Sequence, residues 1–270
     1  MGPLEVTLLV VVGTAVGAYA AAIGAGGGFL ITPLLLLRYT SASPVEITAA
    51  SLTVVAISSG VSSVVAARAR RIDYPVTALL AAATVPTSLL GAALTDFVPR
   101  QIFAFGIATL LLALAAYLIW QPRALFVNPL RRGWRREVED GRGDRYLYRV
   151  PVARAIVGAA IAAFVSAISG IGGGPFHVPV ATRIARMPHR LAVPAVQVII
   201  ATLSVVVVAY HLAAGHIGPP MQDVPWLGIG VVLGNPAGQW LNRRLGEGPL
   251  TRALAAGLLL ISLRTLWGAL

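Results

Sequence analysis

The chain is 270 residues long, 57% hydrophobic and only 11% charged, with a mean hydropathy of +0.81 and a formal net charge of +11. Ordinary globular proteins carry about 25% charged residues, so this composition excludes a soluble domain and indicates an all-α integral membrane protein. The absence of cysteine rules out disulfides, thiolate metal sites and cysteine nucleophiles, and the cations, all arginine and all near segment ends, read as membrane topology with no nucleic-acid partner.

Apolar stretches near the roughly 20 residues that cross a hydrocarbon core follow one another along the chain. The first is Leu4 to Ile23, and the start of the chain, MGPLEVTLLVVVG, lacks a basic n-region and is expected to be retained structure and not a cleaved signal. It runs into AAIGAGGGFLITP, residues 21 to 33, where Gly24, Gly26, Gly27 and Gly28 crowd a greasy segment. Each glycine costs roughly 1 kcal/mol relative to alanine in a helix interior, so a helix break is expected here. Further stretches cover Val45 to Ala67, Pro75 to Leu94 and Ile102 to Trp120. Residues 121–150, rich in Arg, Gly and Pro, are suited to neither core nor membrane and read as a cytoplasmic linker between a first membrane repeat, 1–120, and a second, 151–270. The second contains Val152 to Ile168, Leu191 to Ala213, Val224 to Leu241 and Leu250 to Leu270.

The chain repeats itself. GAGGGFLITP (Gly24 to Pro33) returns as GIGGGPFHVP (Gly170 to Pro179), aligning Gly24, Gly26, Gly27, Gly28 and Pro33 with Gly170, Gly172, Gly173, Gly174 and Pro179. More loosely, RIDYP (Arg71 to Pro75) corresponds in position to GHIGPP (Gly215 to Pro220), and VPTSLLGA (Val85 to Ala92) to GNPAGQW (Gly234 to Trp240). If the short apolar pieces after each glycine cluster merely continue the preceding helix, eight spans result and the arginines divide between the two faces. If each piece turns back, giving about five segments per half, then Arg68, Arg70, Arg71, the linker arginines and the Arg183 and Arg243 groups share one side. The positive-inside rule selects the second arrangement and places both termini outside the cytoplasm. An odd number of segments per half makes the two repeats inverted.

The paired GxGGG elements with proline five residues on, the basic mid-chain linker and the overall length resemble the sulfite exporter TauE/SafE family of integral membrane proteins. The resemblance covers essentially the whole chain and implies a transporter in the cell membrane for sulfur-containing or organic anions. The first half carries TAASLT (Thr48 to Thr53), similar to the Ala/Thr/Ser-rich helix start of such proteins; the second reads VPAVQV, with Gln197 where Thr or Ser is expected.

Irregular backbone survives in lipid only when buried in protein or lining a wet cavity, so two glycine breaks predict a cavity. Each break is followed by a short helix whose first N–H groups lack partners and whose dipole is positive there, a suitable place for an anion. Glycine lets an oxyanion approach that backbone. The expected substrate-binding set is therefore Gly24, Gly26, Gly27, Gly28, Gly170, Gly172, Gly173 and Gly174, joined by the polar side chains Ser51, Thr53, His177, Gln197, Asn235 and Gln239 on apolar segments. Gly13 and Gly17 are instead expected to serve helix packing. No HExxH, paired-Asp motif or P-loop is present, which argues against an enzyme or an ATP-driven pump and for no cofactor or metal. The expected function is secondary export of a small oxyanion, sulfite or a sulfonate; the alternatives are proton-coupled uptake of an organic anion and a neutral-solute channel. The partners are that anion and the bilayer, and a homodimer is compatible with this reading.

Overall fold

The computed structural model describes residues 2–23, 27–120, 133–245, 256–260 and 262–264. In chain order these form α1 (Pro3–Ile23), α2 (Gly28–Arg38), α3 (Pro44–Arg68), α4 (Tyr74–Thr95), α5 (Arg100–Trp120), β1 (Trp134–Glu139), β2 (Arg145–Val150), α6 (Val152–Ser169), α7 (Gly174–Pro179), α8 (His189–Ala213) and α9 (Val224–Leu245). Among the described helices, α1, α3, α4, α6 and α8 are long and apolar enough to cross a membrane, and large apolar side chains such as Leu8, Ile102, Phe105, Ile161, Val205 and Leu233 stand exposed along the bundle. The protein is a helical, multi-pass membrane protein.

Local chemistry starts these helices. Ser43 and Glu46 form a reciprocal capping box ahead of Pro44, with Ser43 N–H donating to Glu46 Oε2 at 2.7 Å. Asp73 precedes α4 and accepts from Val76 N–H. Asp223 ends a 3-10 turn, Pro219–Asp223, and immediately precedes α9. The motif Asp-x-Pro opens both helices, as Asp73-Tyr74-Pro75 and Asp223-Val224-Pro225. The sequence pairing of RIDYP with GHIGPP thus slips by one helical turn, because the 3-10 turn extends the second connection.

Packing crosses the two sequence halves. α1 lies on α9, α4 on α6, and α3 on α8. Gly13 and Gly17 do serve packing: a Cβ on Gly13 would stand 2.5 Å from Leu227 O, and one on Gly17 would collide with Val231. Gly230, Gly234 and Gly238 on α9 meet the backbone of α1 in the same way. Close approach of this kind replaces side-chain volume with backbone contact. In the α4–α6 pair, Gly91 lies where a Cβ would be 2.7 Å from Phe164 O.

The chain ends of the helices define two faces. Arg38, closing α2, pairs with Glu5 in the first turn of α1 and with Asp223 at 2.7 Å, while Arg100 at the start of α5 donates to Leu36 O at 2.9 Å and to Ala42 O. α2 therefore returns to the face from which α1 starts. On the opposite face, residues 133–150, expected to be plain linker, include an antiparallel β-hairpin pairing Trp134 with Val150 through Glu139 with Arg145. Val150 is fully buried and Tyr148 nearly so, both within the helical core, and this burial holds the hairpin against the helices. Arg136 and Tyr148 bind Asp73, Gly141 packs on Ala69, and Asp144 pairs with Arg190 in the first turn of α8 at 3.2 Å. Burial and then the Asp73 carboxylate push the Tyr148 hydroxyl up from its ordinary pKa, keeping it a donor.

Candidate functional site

Each glycine cluster places a left-handed glycine at the start of a short helix. Gly27 (φ 79°) caps the start of α2 and Gly173 (φ 79°) that of α7, so the aligned residues adopt the same conformation. Gly170 and Gly172 are also left-handed, at φ 68° and 77°. Such φ values favour glycine strongly. Gly24 and Gly26 lie outside the described residues. After α7 the helix continues as a π-turn, Val180–Ile184, with Ala185 N–H donating to Val180 O at 2.8 Å. Pro179 immediately precedes this turn, whereas its counterpart Pro33 lies inside the regular α2.

The breaks touch each other. Gly28 sits so close to Ile171 O and Val55 that a Cβ there would collide with both, and a Cβ on Gly172 would lie 2.6 Å from Val55 Cγ1. Val55, from the middle of α3, is therefore wedged against both clusters. The Gly170 carbonyl is held from the other half of the chain: Thr32 Oγ1 donates to it at 2.7 Å, and Ser51 Oγ stands 3.0 Å from it and 2.8 Å from Thr32 Oγ1. All three groups are buried. Thr48, one turn before Ser51, brings its hydroxyl against Gly170, where a Cβ would lie 3.1 Å away, and that hydroxyl has no partner among the described residues.

Buried atoms without a partner among the described residues also include Gln197 Oε1 and His177 Nε2. Gln197 is 4% exposed on α8, at the position aligned with Ser51 on α3, and these two helices pack together. His177 lies in α7 with its Nδ1 2.9 Å from Gly173 O. Gly174 is buried at the start of that helix. Thr53 and Asn235 are differently engaged. Thr53 Oγ1 donates to Ala49 O at 2.7 Å within its own helix, and Asn235 Nδ2 donates to Ser62 Oγ at 2.8 Å, tying α9 to α3. The side chain of Gln239 lies outside the described residues.

Among the described residues the polar atoms around the breaks are hydroxyls, an amide, an imidazole and backbone groups. The buried carboxylates, Asp73, Asp140 and Asp223, stand at element ends. The hydrogen bonds of Thr32 and the contact of Thr48 escape the sequence reading; their signal is that Thr32 is the one polar side chain in the apolar run GFLITPLLLL.

Comparison with known proteins extends this geometry. The family model described as "Sulfite exporter TauE/SafE" matches residues 9–265. The chain belongs to the TauE/SafE family. It is similar to the "Probable membrane transporter protein YunE" of Bacillus subtilis (strain 168), 28% identical over 252 residues that cover 90% of this chain and 88% of the relative. No solved structure matches it. As a TauE/SafE protein the chain is a membrane transporter and not an enzyme.

Proposed function

We propose that the chain exports a small oxyanion of the sulfite or organosulfonate class across the cell membrane, through a site formed where its two glycine breaks meet. The observation that carries this reading is the contact of Gly28 with Ile171, from which α2 runs to the face of Glu5 and Asp223, while the chain after α7 runs to the face of the hairpin. Two short helices leaving one junction for opposite faces are what inverted repeats produce, and the partners α1–α9 and α4–α6 exchange when the halves are exchanged. Arginines gather beside the hairpin, which favours that face as cytoplasmic and leaves both termini outside. The groups at the junction, Thr48, Ser51, His177 and the glycine backbone, together with Gln197 buried on the adjoining α8, bind an anion by hydrogen bonding and helix-end polarity without a buried cation.

Export is favoured energetically. One negative charge leaving an inside-negative cell gains roughly 2.3 kcal/mol per 100 mV. The test is counterflow into liposomes containing the purified protein, with sulfite, sulfate, thiosulfate, sulfoacetate and uncharged analogues compared. Selective exchange of the anions is the expected result. Equal passage of uncharged solutes would sink the reading and leave a neutral channel.

A further inference from the structure

The imidazole of His177 is oriented by a single acceptor. Its Nδ1 lies 2.9 Å from Gly173 O, and the same carbonyl accepts the backbone N–H of His177 at 2.8 Å and of Phe176 at 3.0 Å. A carbonyl oxygen has no hydrogen to give, so the proton of this contact sits on Nδ1. A neutral imidazole carries one N–H, and Nε2 is then left as a bare lone pair. That atom is buried, in a residue 1% exposed, and no donor reaches it among the described residues. The ring is folded back over the break: a Cβ on Gly173 would lie 2.6 Å from Nδ1.

We propose, resting on the anion-site reading above, that His177 makes oxyanion binding at the junction proton-linked, with one proton held between its Nε2 and the bound anion. A lone pair facing an oxyanion is repulsive, and a proton placed between the two removes the repulsion. That proton has two sources. A fully ionised anion enters with a proton from water, which resides on Nε2; an anion that keeps an acidic O–H donates it to Nε2 directly. In the first case no bond within the ligand breaks. In the second its O–H bond breaks as the Nε2–H bond forms and is restored when the anion dissociates, and sulfite crossing with one proton still carries one negative charge outward.

Other titratable groups on the elements packed against α7 stand elsewhere. α6 carries Arg154 in its first turn, the π-turn carries Arg183, and α8 carries His189 and Arg190 at its start and Tyr210 and His211 at its end. The near neighbour from α6 is Ser166, whose hydroxyl donates to Ala162 O at 2.5 Å and is committed there.

The two proton sources are separated by two probes, methanesulfonate, which has no acidic hydrogen near neutral pH, and sulfite, which takes one up. Binding to the purified full-length protein is measured in weak buffer with a pH indicator. Wild type is expected to take up close to one proton per methanesulfonate bound, with affinity falling about tenfold per pH unit above the pKa of the site. His177→Gln, which offers an amide that does not titrate, is expected to bind without proton uptake; His211→Gln is expected to keep the uptake. Methanesulfonate binding without proton uptake and with flat affinity from about pH 5 to 8 would overturn the proton linkage and leave the anion site standing. Uptake lost in His211→Gln would assign the proton to the other buried histidine and likewise overturn it. Failure of both probes to bind at any pH would overturn the anion-site reading itself.

Discussion

Arg136 holds Asp73 with two parallel hydrogen bonds, Nε to Oδ2 at 3.0 Å and Nη2 to Oδ1 at 2.9 Å, and Tyr148 adds a third at 2.6 Å. The carboxylate is fully buried, so loss of its cation leaves an uncompensated charge. Arg136→Ala is expected to cost about 3 kcal/mol. Arg145→Ala, which breaks a largely exposed pair with Glu139, is expected to cost less than about 1 kcal/mol. Thermal unfolding of the two purified variants in detergent measures the difference; equal melting temperatures would show that the hairpin is not anchored through Asp73.

The junction offers a similar contrast between two hydroxyls. Ser51 reaches across to the break of the other half, whereas Thr53 spends its hydrogen bond one turn back on its own helix. Ser51→Ala is expected to destabilise the protein by about 1 kcal/mol and to lower anion counterflow, and Thr53→Ala to leave flux close to wild type. Flux lowered equally by both would mean that α3 as a whole, and not the Ser51 contact, governs transport.

Glycine substitutions separate backbone conformation from crowding. Gly27 and Gly173 share φ 79°, so alanine costs roughly 1 kcal/mol at either position. A Cβ at Gly173 also meets Ser166 Oγ at 2.5 Å, whereas at Gly27 its nearest neighbours are methyl groups of Ala20 and Val16 at 3.1 and 3.2 Å. Gly173→Ala is expected to be the more damaging in both stability and flux. Gly60→Ala and Gly106→Ala, in open space within helices, are expected to be neutral or to stabilise by up to about 1 kcal/mol. Melting temperatures of the four variants give the order.

Topology is checked by cysteines placed in this cysteine-free chain at exposed positions. Arg142→Cys, at the tip of the hairpin, is expected to react with impermeant reagents only from the cytoplasmic side, and Gly2→Cys and Ala214→Cys only from outside. Labelling of residues 2 and 142 from one side would remove the inverted repeat.

The membrane-length apolar segments were legible because they depend on local chemistry, long apolar runs; the glycine clusters stood out in the sequence for the same local reason, but of the first only Gly27 and Gly28 are among the described residues. The hairpin was not legible. Its alternation, RYLYRV in β2, is short, and arginine and glycine dominate the surrounding composition; what orders it is the burial of Val150 and Tyr148 among helices distant in sequence. The same holds for Arg38. Its ion pairs with Glu5 and Asp223 require α2 to fold back and α9 to begin nearby, a relationship that no single stretch encodes. Ser51 could be picked out as a polar residue in an apolar helix, but its acceptor, Gly170 O, lies in the other half of the chain.

The glycine contacts between α1 and α9 bear on which parts of the molecule travel together. Backbone rests directly on backbone at Gly13, Gly17, Gly230, Gly234 and Gly238, with no side chains between to act as bearings, so neither helix rolls or slides without the other. α1 belongs to the first half of the gene product and α9 to the second. The packed units are therefore chimaeras assembled from both halves, and a chain severed within residues 121–132 is expected to leave two polypeptides still held together by these contacts.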